Sequence, residues 1–235
     1  MRVAPTTERQ IDPAKRTRRG RPAFRMSSAG KGDVVLKCQS RLEWLFAMLF
    51  VLHPGISEIY FQPLIVNLTR SKVYRRKVKL DPRYKYYIPD FLIVVNGKEF
   101  IVEVKSAALL GMTNKDFAKI QEIFEKNAIG FCKLTELDLG EAENNIRILY
   151  EYCVHDADSV TTWSNDLKRL LETHQGIHHV NDLAGLLEPV NWYVCAGILR
   201  GVISFDLLNW DLMGMNFPVV QVYGSLKHLE VISFV

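Results

Sequence analysis

Cysteine is scarce in this chain and poorly placed for any framework. The four residues Cys38, Cys132, Cys153 and Cys195 are widely separated and match no zinc-ligand spacing. They are expected to be reduced, mostly buried small hydrophobes. A long hydrophobic run is also missing. The most apolar stretch, Trp44–Leu52, is too short to cross a bilayer. No apolar core follows the basic residues near the N-terminus, so no signal peptide is expected. These absences exclude a disulfide scaffold, a zinc module and a membrane protein, and they lead to the expectation of a cytoplasmic protein. A strong charge excess is missing too: the net charge is only +4. With 48% apolar and 24% charged residues over 235 positions, the chain has the composition of an ordinary globular protein of one or two domains.

The modest positive charge is unevenly spread. Residues 1–31 are Arg-rich and poor in large apolar side chains, so a disordered basic arm is expected there. Within it, Arg19-Gly20-Arg21-Pro22 has the form of an AT-hook core, whose arginines enter the minor groove of A·T-rich DNA. A generic phosphate-binding arm is the competing reading. A second basic cluster comprises Arg70, Lys72, Arg75, Arg76, Lys77, Lys79, Arg83 and Lys85, interleaved with Tyr74, Tyr84, Tyr86 and Tyr87. It reads as a loop that grips phosphate, or as a solvated charged loop.

The most informative stretch is Tyr86–Lys105. Two apolar runs, Phe91–Val95 and Phe100–Val104, flank Asn96-Gly97. That dipeptide favours positive φ at both central positions of a type I′ turn and predicts a hairpin with a two-residue loop. Val95 then pairs with Lys98, and counting outward sets Asp90 opposite Glu103, with Cβ atoms about 4.5–5.5 Å apart. Two carboxylates so placed repel unless a cation lies between them or one is protonated. Lys105, two residues beyond Glu103, points to the same face. A surface hairpin with a charged end is the plainer reading of these residues.

Around this hairpin the periodicity predicts further elements. Val34–Lys37 reads as a short strand. Ser40-Arg41-Leu42-Glu43 opens a helix whose buried face is Leu42, Leu45, Phe46, Leu49 and Phe50. Glu43 stands three residues after Ser40, so it either completes a capping box or projects toward Asp90 as a further acid. Ile59–Leu68 reads as a strand with Gln62-Pro63 at an edge or bulge. Asn114–Asn127 forms a helix through Phe117, Ile120, Ile123 and Phe124, and Ala128–Thr135 a further strand. This order suits a mixed sheet with helices on its faces. Beyond Leu139 the pattern is mainly helical: one helix carries Leu167, Leu170 and Leu171, a second Val180, Leu183, Leu186 and Leu187, and a third spans Asn191–Leu199 and closes at Gly201. Val202–Phe205 and Val219–Tyr223 read as short strands. Together they predict a small winged-helix-like domain at 141–235, after an α/β domain at 32–140. His174, His178 and His179 share no ligand spacing that would support a metal site.

Pro89-Asp90 followed by Glu103-Val104-Lys105 resembles the PD-(D/E)xK nuclease signature. Taken with Ser40-Arg41-Leu42-Glu43, the Gln62-Pro63 strand, Tyr87-Ile88-Pro89-Asp90-Phe91 and Leu134-Thr135-Glu136, the order of motifs is similar to TnsA-type endonucleases, which are subunits of heteromeric bacterial transposases. The resemblance runs from about Gln39 to the C-terminus. It implies a restriction-endonuclease-like fold and Mg²⁺ (or Mn²⁺) at Asp90, Glu103, the Val104 carbonyl and Glu43, with Lys105 as the catalytic lysine. Glu103 stands where relatives can carry Gln. It also implies hydrolysis at the 5′ ends of a transposon, leaving a 5′-phosphate. The implied partners are double-stranded transposon-end DNA, a DDE transposase subunit (TnsB-like) and an ATP-dependent regulator (TnsC-like). A stand-alone restriction or repair nuclease and a non-catalytic DNA-binding adaptor are the alternative readings.

Overall fold

The computed structural model describes residues 24–31, 35–76, 78–110 and 114–234. The chain is a mixed α/β protein that divides into two compact units. The first comprises residues 1–51, 55–138 and 234–235, and the second residues 52–54 and 139–233.

The first unit is built on a four-stranded mixed sheet. Its strands, in spatial order, are β3 (Ile56–Phe61), β7 (Phe91–Val95), β8 (Lys98–Val104) and β9 (Gly130–Leu134). The β7–β8 hairpin has the expected register, with Val95 opposite Lys98 and Phe91 opposite Val102. Asn96 and Gly97 both hold positive φ, 49° and 81°, as a type I′ turn requires. β9 joins β8 in parallel, after the short helix α2 (Ala107–Leu110) and the crossover helix α3 (Asn114–Glu125). The two faces of β7 separate the cores by strand alternation. Phe91 meets the helix α1 (Arg41–Leu52) through edge-to-face contact with Phe50, centroids 5.4 Å apart. Leu92 and Val94 join Ile101 and the apolar stripe of α3: Phe117, Ile120, Ile123 and Phe124. Helix α1 is buried all round from Leu45 to Leu52, beyond the single face expected from its spacing, because its mean composition leaves no polar stripe. Phe234 packs on Phe50 and Phe100, so the end of the chain belongs to this unit rather than to the second.

Two expectations are corrected in this unit. Ile59–Leu68 is not one strand. β3 ends at Phe61, Gln62 turns through a φ of 47°, and Pro63 leads into β4 (Ile65–Asn67), which lies in a separate three-stranded sheet. A proline cannot donate a ladder hydrogen bond, so it marks the corner where the chain leaves one sheet for the other. In the second sheet β4 is flanked by β5 (Lys72–Tyr74) and β6 (Tyr86–Tyr87). The expectation of a disordered arm reaching residue 31 does not hold for its described residues. Phe24–Ser27 forms strand β1, paired with β2 (Val35–Cys38). Phe24 stacks on Trp44 at 5.3 Å and Met26 is buried, so two alternating apolar residues suffice to hold it. Arg19 and Arg21 lie outside the described residues, as does Lys77.

The second unit packs α4 (Glu143–Cys153), α5 (Ala157–Thr173) and α6 (Val190–Leu199) around Leu149, Leu167, Val194 and Ile198. Gly201, at φ 66°, ends α6 as expected. Val180–Leu187 is not a helix: only a 3-10 turn over Val180–Leu183 forms, and Gly185 at φ 78° turns the chain away. The two expected C-terminal strands reduce to a single antiparallel bridge, Ile203 to Gln221. The segment between them is held instead by a buried side chain. Asn145 donates to the Leu207 and Trp210 carbonyls at 3.0 and 2.6 Å and accepts from Leu212 N–H at 3.0 Å. Among the described residues no helix is long and apolar enough to cross a membrane.

Candidate active site

The β7–β8 pairing ends at Phe91 opposite Val102, so Asp90 stands one residue before β7 while Glu103 continues β8. Both are buried, at 8% and 4% exposure. The cation needed to hold them together is Lys105: its Nζ lies 2.8 Å from Glu103 Oε1 and 3.4 Å from Asp90 Oδ2. The lysine backbone is itself fixed to β9, since its N–H donates to Leu134 O at 3.0 Å. Glu136 caps the following turn by accepting from Ala107 N–H. The three sequence-predicted residues therefore converge at one end of the sheet, and the parallel strand β9 positions the third.

Each carboxylate has a second anchor. Val104 N–H donates to Asp90 Oδ2 at 2.9 Å, and Tyr87 O–H donates to Glu103 Oε2 at 2.5 Å. On the other side, Asp90 O accepts from Gln62 N–H at 2.8 Å, so the corner between the two sheets braces the same residue. Asp90 Oδ1 makes no hydrogen bond among the described residues. Burial pushes the Asp90 carboxyl up, and the Glu103 charge adds to it, outweighing Lys105; the result is about 7. Burial lowers Lys105, but the Asp90 and Glu103 charges more than offset it and hold the ammonium above its usual range. The triad thus resolves its repulsion in both available ways, with an interposed cation and with a carboxyl that gives up its proton reluctantly.

Glu43 takes the capping geometry. Its N–H donates to Ser40 Oγ at 3.1 Å, its Oε2 accepts from Gln39 N–H at 2.7 Å, and its Oε1 accepts from Ser40 Oγ at 3.0 Å. The reach extends to the residue before the N-cap, one position further back than in a standard capping box. Burial raises its carboxyl, and the Lys105 and Glu103 charges act on it as well, so it lies within electrostatic range of the triad while both oxygens are held at the helix start. Glu43→Gln keeps the bond from residue 43 N–H to Ser40 Oγ and one acceptor oxygen for Gln39 N–H, while its amide nitrogen can only donate toward Ser40 Oγ; it is expected to lower the thermal midpoint less than Glu43→Ala, which is expected to cost about 1 kcal/mol. Thermal melts of the two variants beside wild type check this. Equal losses in both would mean that the charge, rather than the cap, stabilises the fold.

Among the described residues no three His, Cys, Asp or Glu side chains converge as a ready-made ligand group. Two carboxylates do, and Mg²⁺ is ordinarily held by one or two carboxylates with waters completing its shell. The Val104 backbone adjoins Asp90, since its N–H donates to Asp90 Oδ2 at 2.9 Å. Carboxylate and carbonyl oxygens are hard donors of the type Mg²⁺ and Mn²⁺ take, and Lys105 stands where a cation's charge is required. No protein-family model matches the chain, and no curated protein matches it in sequence.

The basic cluster divides when its partners are considered. Arg75 forms a two-pronged pair with Glu99 at 2.8 and 2.5 Å, and Arg83 pairs with Asp81 at 2.7 Å. Arg70 lies over the Tyr84 ring at 4.3 Å and bonds its hydroxyl, while Lys72 lies over Tyr74 at 5.2 Å. Arg76 and Lys79 are exposed and form no ion pair among the described residues. Lys85 is exposed, and its N–H donates to Thr69 Oγ1 at 3.0 Å. Tyr87, grouped with the charged loop by sequence, instead belongs to the triad: β6 carries it, and its ring packs on Phe124. Its place three residues before Asp90 gave no periodic signal, because β6 and β7 lie in different sheets.

Proposed function

We propose that this protein is a Mg²⁺-dependent DNA endonuclease of the PD-(D/E)xK type, and that it acts as a TnsA-like subunit at the 5′ ends of a transposon. The observation that carries this reading is the convergence of Asp90, Glu103 and Lys105 at the end of a buried hairpin, with the lysine ammonium paired to both carboxylates. The mixed sheet between α1 and α3 suits a restriction-endonuclease-like core, and the α4–α6 unit with its two isolated bridges, His179 to Pro218 and Ile203 to Gln221, suits a winged-helix-like module that meets partner proteins.

A divalent ion held by Asp90, Glu103 and the Val104 carbonyl would supply Lewis-acid activation of water and charge neutralisation at the scissile phosphate. The residues' own tasks follow from their surroundings. Val104 N–H fixes the rotamer of Asp90 and leaves Oδ1 available. Tyr87 O–H holds Glu103 on the same face. Lys105 is an ammonium at neutral pH, so it orients and stabilises charge rather than abstracting a proton. Arg76, Lys79 and Lys85, all exposed, supply sequence-independent phosphate affinity, weakened by salt. Choice of sequence is left to a DDE transposase subunit (TnsB-like), and timing to an ATP-dependent regulator (TnsC-like), in a bacterial cytoplasm.

A non-catalytic adaptor is favoured by one feature: Lys105 already satisfies both carboxylates as a closed ion triad. Calorimetric titration of Mn²⁺ into wild type and Asp90→Ala, with a short duplex present, separates the readings. Binding in wild type that is lost in Asp90→Ala, together with strand cleavage when a DDE partner is co-expressed, is the expected result. Absence of metal binding in wild type, with duplex affinity equal in both proteins, overturns the nuclease reading.

A further inference from the structure

The second unit carries a group of aromatic side chains that the nuclease reading does not use. Tyr152 lies near the end of α4, His155 just after it, Trp163 on α5 and Trp192 in the first turn of α6. Trp163 is the centre: its ring lies 4.8 Å from Trp192, 5.6 Å from His155 and 6.4 Å from Tyr152, the last at 73°. The rings are inclined to one another rather than stacked flat, and with Glu151 and Ser159 they line a cavity of about 450 Å³. Asn191 Nδ2 donates to Tyr152 O–H at 2.9 Å and fixes that wall.

This arrangement is not core packing. The unit's own aromatic core is elsewhere, in Phe205 and Phe217, which are essentially inaccessible, whereas Trp192 is 42% exposed. Large apolar rings left open around a concavity mark a binding site. The charge of the rim selects the ligand. Glu151 is exposed and forms no ion pair among the described residues, and Asp156 and Asp158 follow in the adjoining turn. No Lys or Arg lines the cavity. Indole and phenol faces attract cations, and a carboxylate at the mouth adds to that attraction while repelling phosphate. Asp156 is tied to Ser159 N–H and Oγ, both at 2.9 Å, and neither it nor Asp158 lines the cavity, so Glu151 is the carboxylate that a ligand there meets.

The geometry points to an aromatic cage that receives a cationic side chain, arginine or lysine, from a basic segment of a partner protein. The guanidinium or ammonium group lies against Trp163 and Trp192, and Glu151 faces it from the rim. The site is in the second unit and does not depend on the triad, so it stands or falls separately from the nuclease reading.

The test uses the whole protein and three probes: an acetylated, amidated Gly-Gly-Arg-Gly-Gly peptide, the same peptide with citrulline in place of arginine, and an oligothymidylate. Tryptophan fluorescence and calorimetry report binding. The arginine peptide is expected to saturate in the millimolar range, about tenfold more tightly than its neutral citrulline isostere. Trp192→Ala is expected to abolish that binding. Glu151→Gln, which keeps every ring, is expected to weaken it several-fold and to flatten its salt dependence. Circular dichroism establishes that both variants fold, and Glu151→Gln carries the test alone if Trp192→Ala does not. Equal binding of the arginine and citrulline peptides, or no binding of either, overturns the proposal. Binding of the oligothymidylate that is lost in Trp192→Ala would identify a base-stacking platform and overturn it as well.

Discussion

Lys105→Ala is expected to do two things at once: to lower the cleavage that the nuclease proposal assigns to the protein by at least roughly 10³-fold, and to make the stability of the protein depend on divalent metal. The second effect follows from the geometry. Asp90 and Glu103 are buried, and Lys105 is the cation that both touch. Removing one partner of a fully buried pair costs about 3–5 kcal/mol. The Lys105 side chain is 35% exposed, so about 2 kcal/mol is expected here. In a chain of this size that lowers the thermal midpoint by roughly 4–8 °C. The loss is expected to grow as pH rises through 7, because below that Asp90 keeps its proton and the repulsion is absent. A divalent ion entering between the two carboxylates replaces the missing charge. Millimolar Mn²⁺ is therefore expected to raise the Lys105→Ala midpoint by several degrees more than it raises wild type's. Differential scanning fluorimetry over pH 5–8.5, with and without Mn²⁺, measures this. A destabilised variant that Mn²⁺ does not rescue would show that the carboxylates hold no metal.

Asp90→Asn is expected to trade activity for stability. An aspartate in the unfolded chain ionises near 3.8, while in the folded protein Asp90 holds its proton up to about 7, chiefly through burial. Between those values the unfolded state has released a proton that the native state retains, so raising the pH favours unfolding. Above 7 the penalty is at its full value. Asparagine cannot ionise and can still accept from Val104 N–H, so it removes the penalty and keeps the local hydrogen bond. At pH 8 the variant is expected to melt roughly 5 °C or more above wild type. The difference is expected to shrink as pH falls through 7 and to vanish below about 4, while cleavage is lost throughout. A midpoint equal to or below wild type's at pH 8 would mean that Asp90 is stabilised as a carboxylate by its lysine and is not held under strain. The same linkage predicts that Mn²⁺ binding to wild type releases a proton, and that its affinity rises up to about pH 7 and then levels off.

How much of this was legible beforehand depends on the range of the interaction involved. Asn96-Gly97 sets the turn through the φ values it tolerates, and that turn sets a register from which Asp90 and Glu103 follow by counting. The stripe of Phe117, Ile120, Ile123 and Phe124 sets α3 in the same local way. These are properties of neighbouring residues, and the turn, the pairing from Val95–Lys98 to Phe91–Val102 and the helix stripe appear in the structure as expected. Phe24 and Met26 were just as local, but two apolar residues within a basic arm give too short a period to register.

The rest required contacts between distant residues. Ser40 to Glu43 admits both a cap and an active-site acid, and the direction of the carboxylate was settled by where Gln39 and Ser40 lie in the folded chain. Arg75 was one basic residue among eight until Glu99 was found to face it across the unit. Pro63 could mark an edge or a bulge, and only the presence of a second sheet made it a corner. Tyr87 reaches Glu103 because β6 and β8 approach each other in space, which no spacing along the chain encodes. The sequence by itself therefore determined which acids the hairpin brings together and in what register its strands pair, since backbone geometry and side-chain alternation act over a few residues. Only the tertiary structure decided what stands between them and what holds them, because burial and charge pairing depend on groups that folding brings together from far apart.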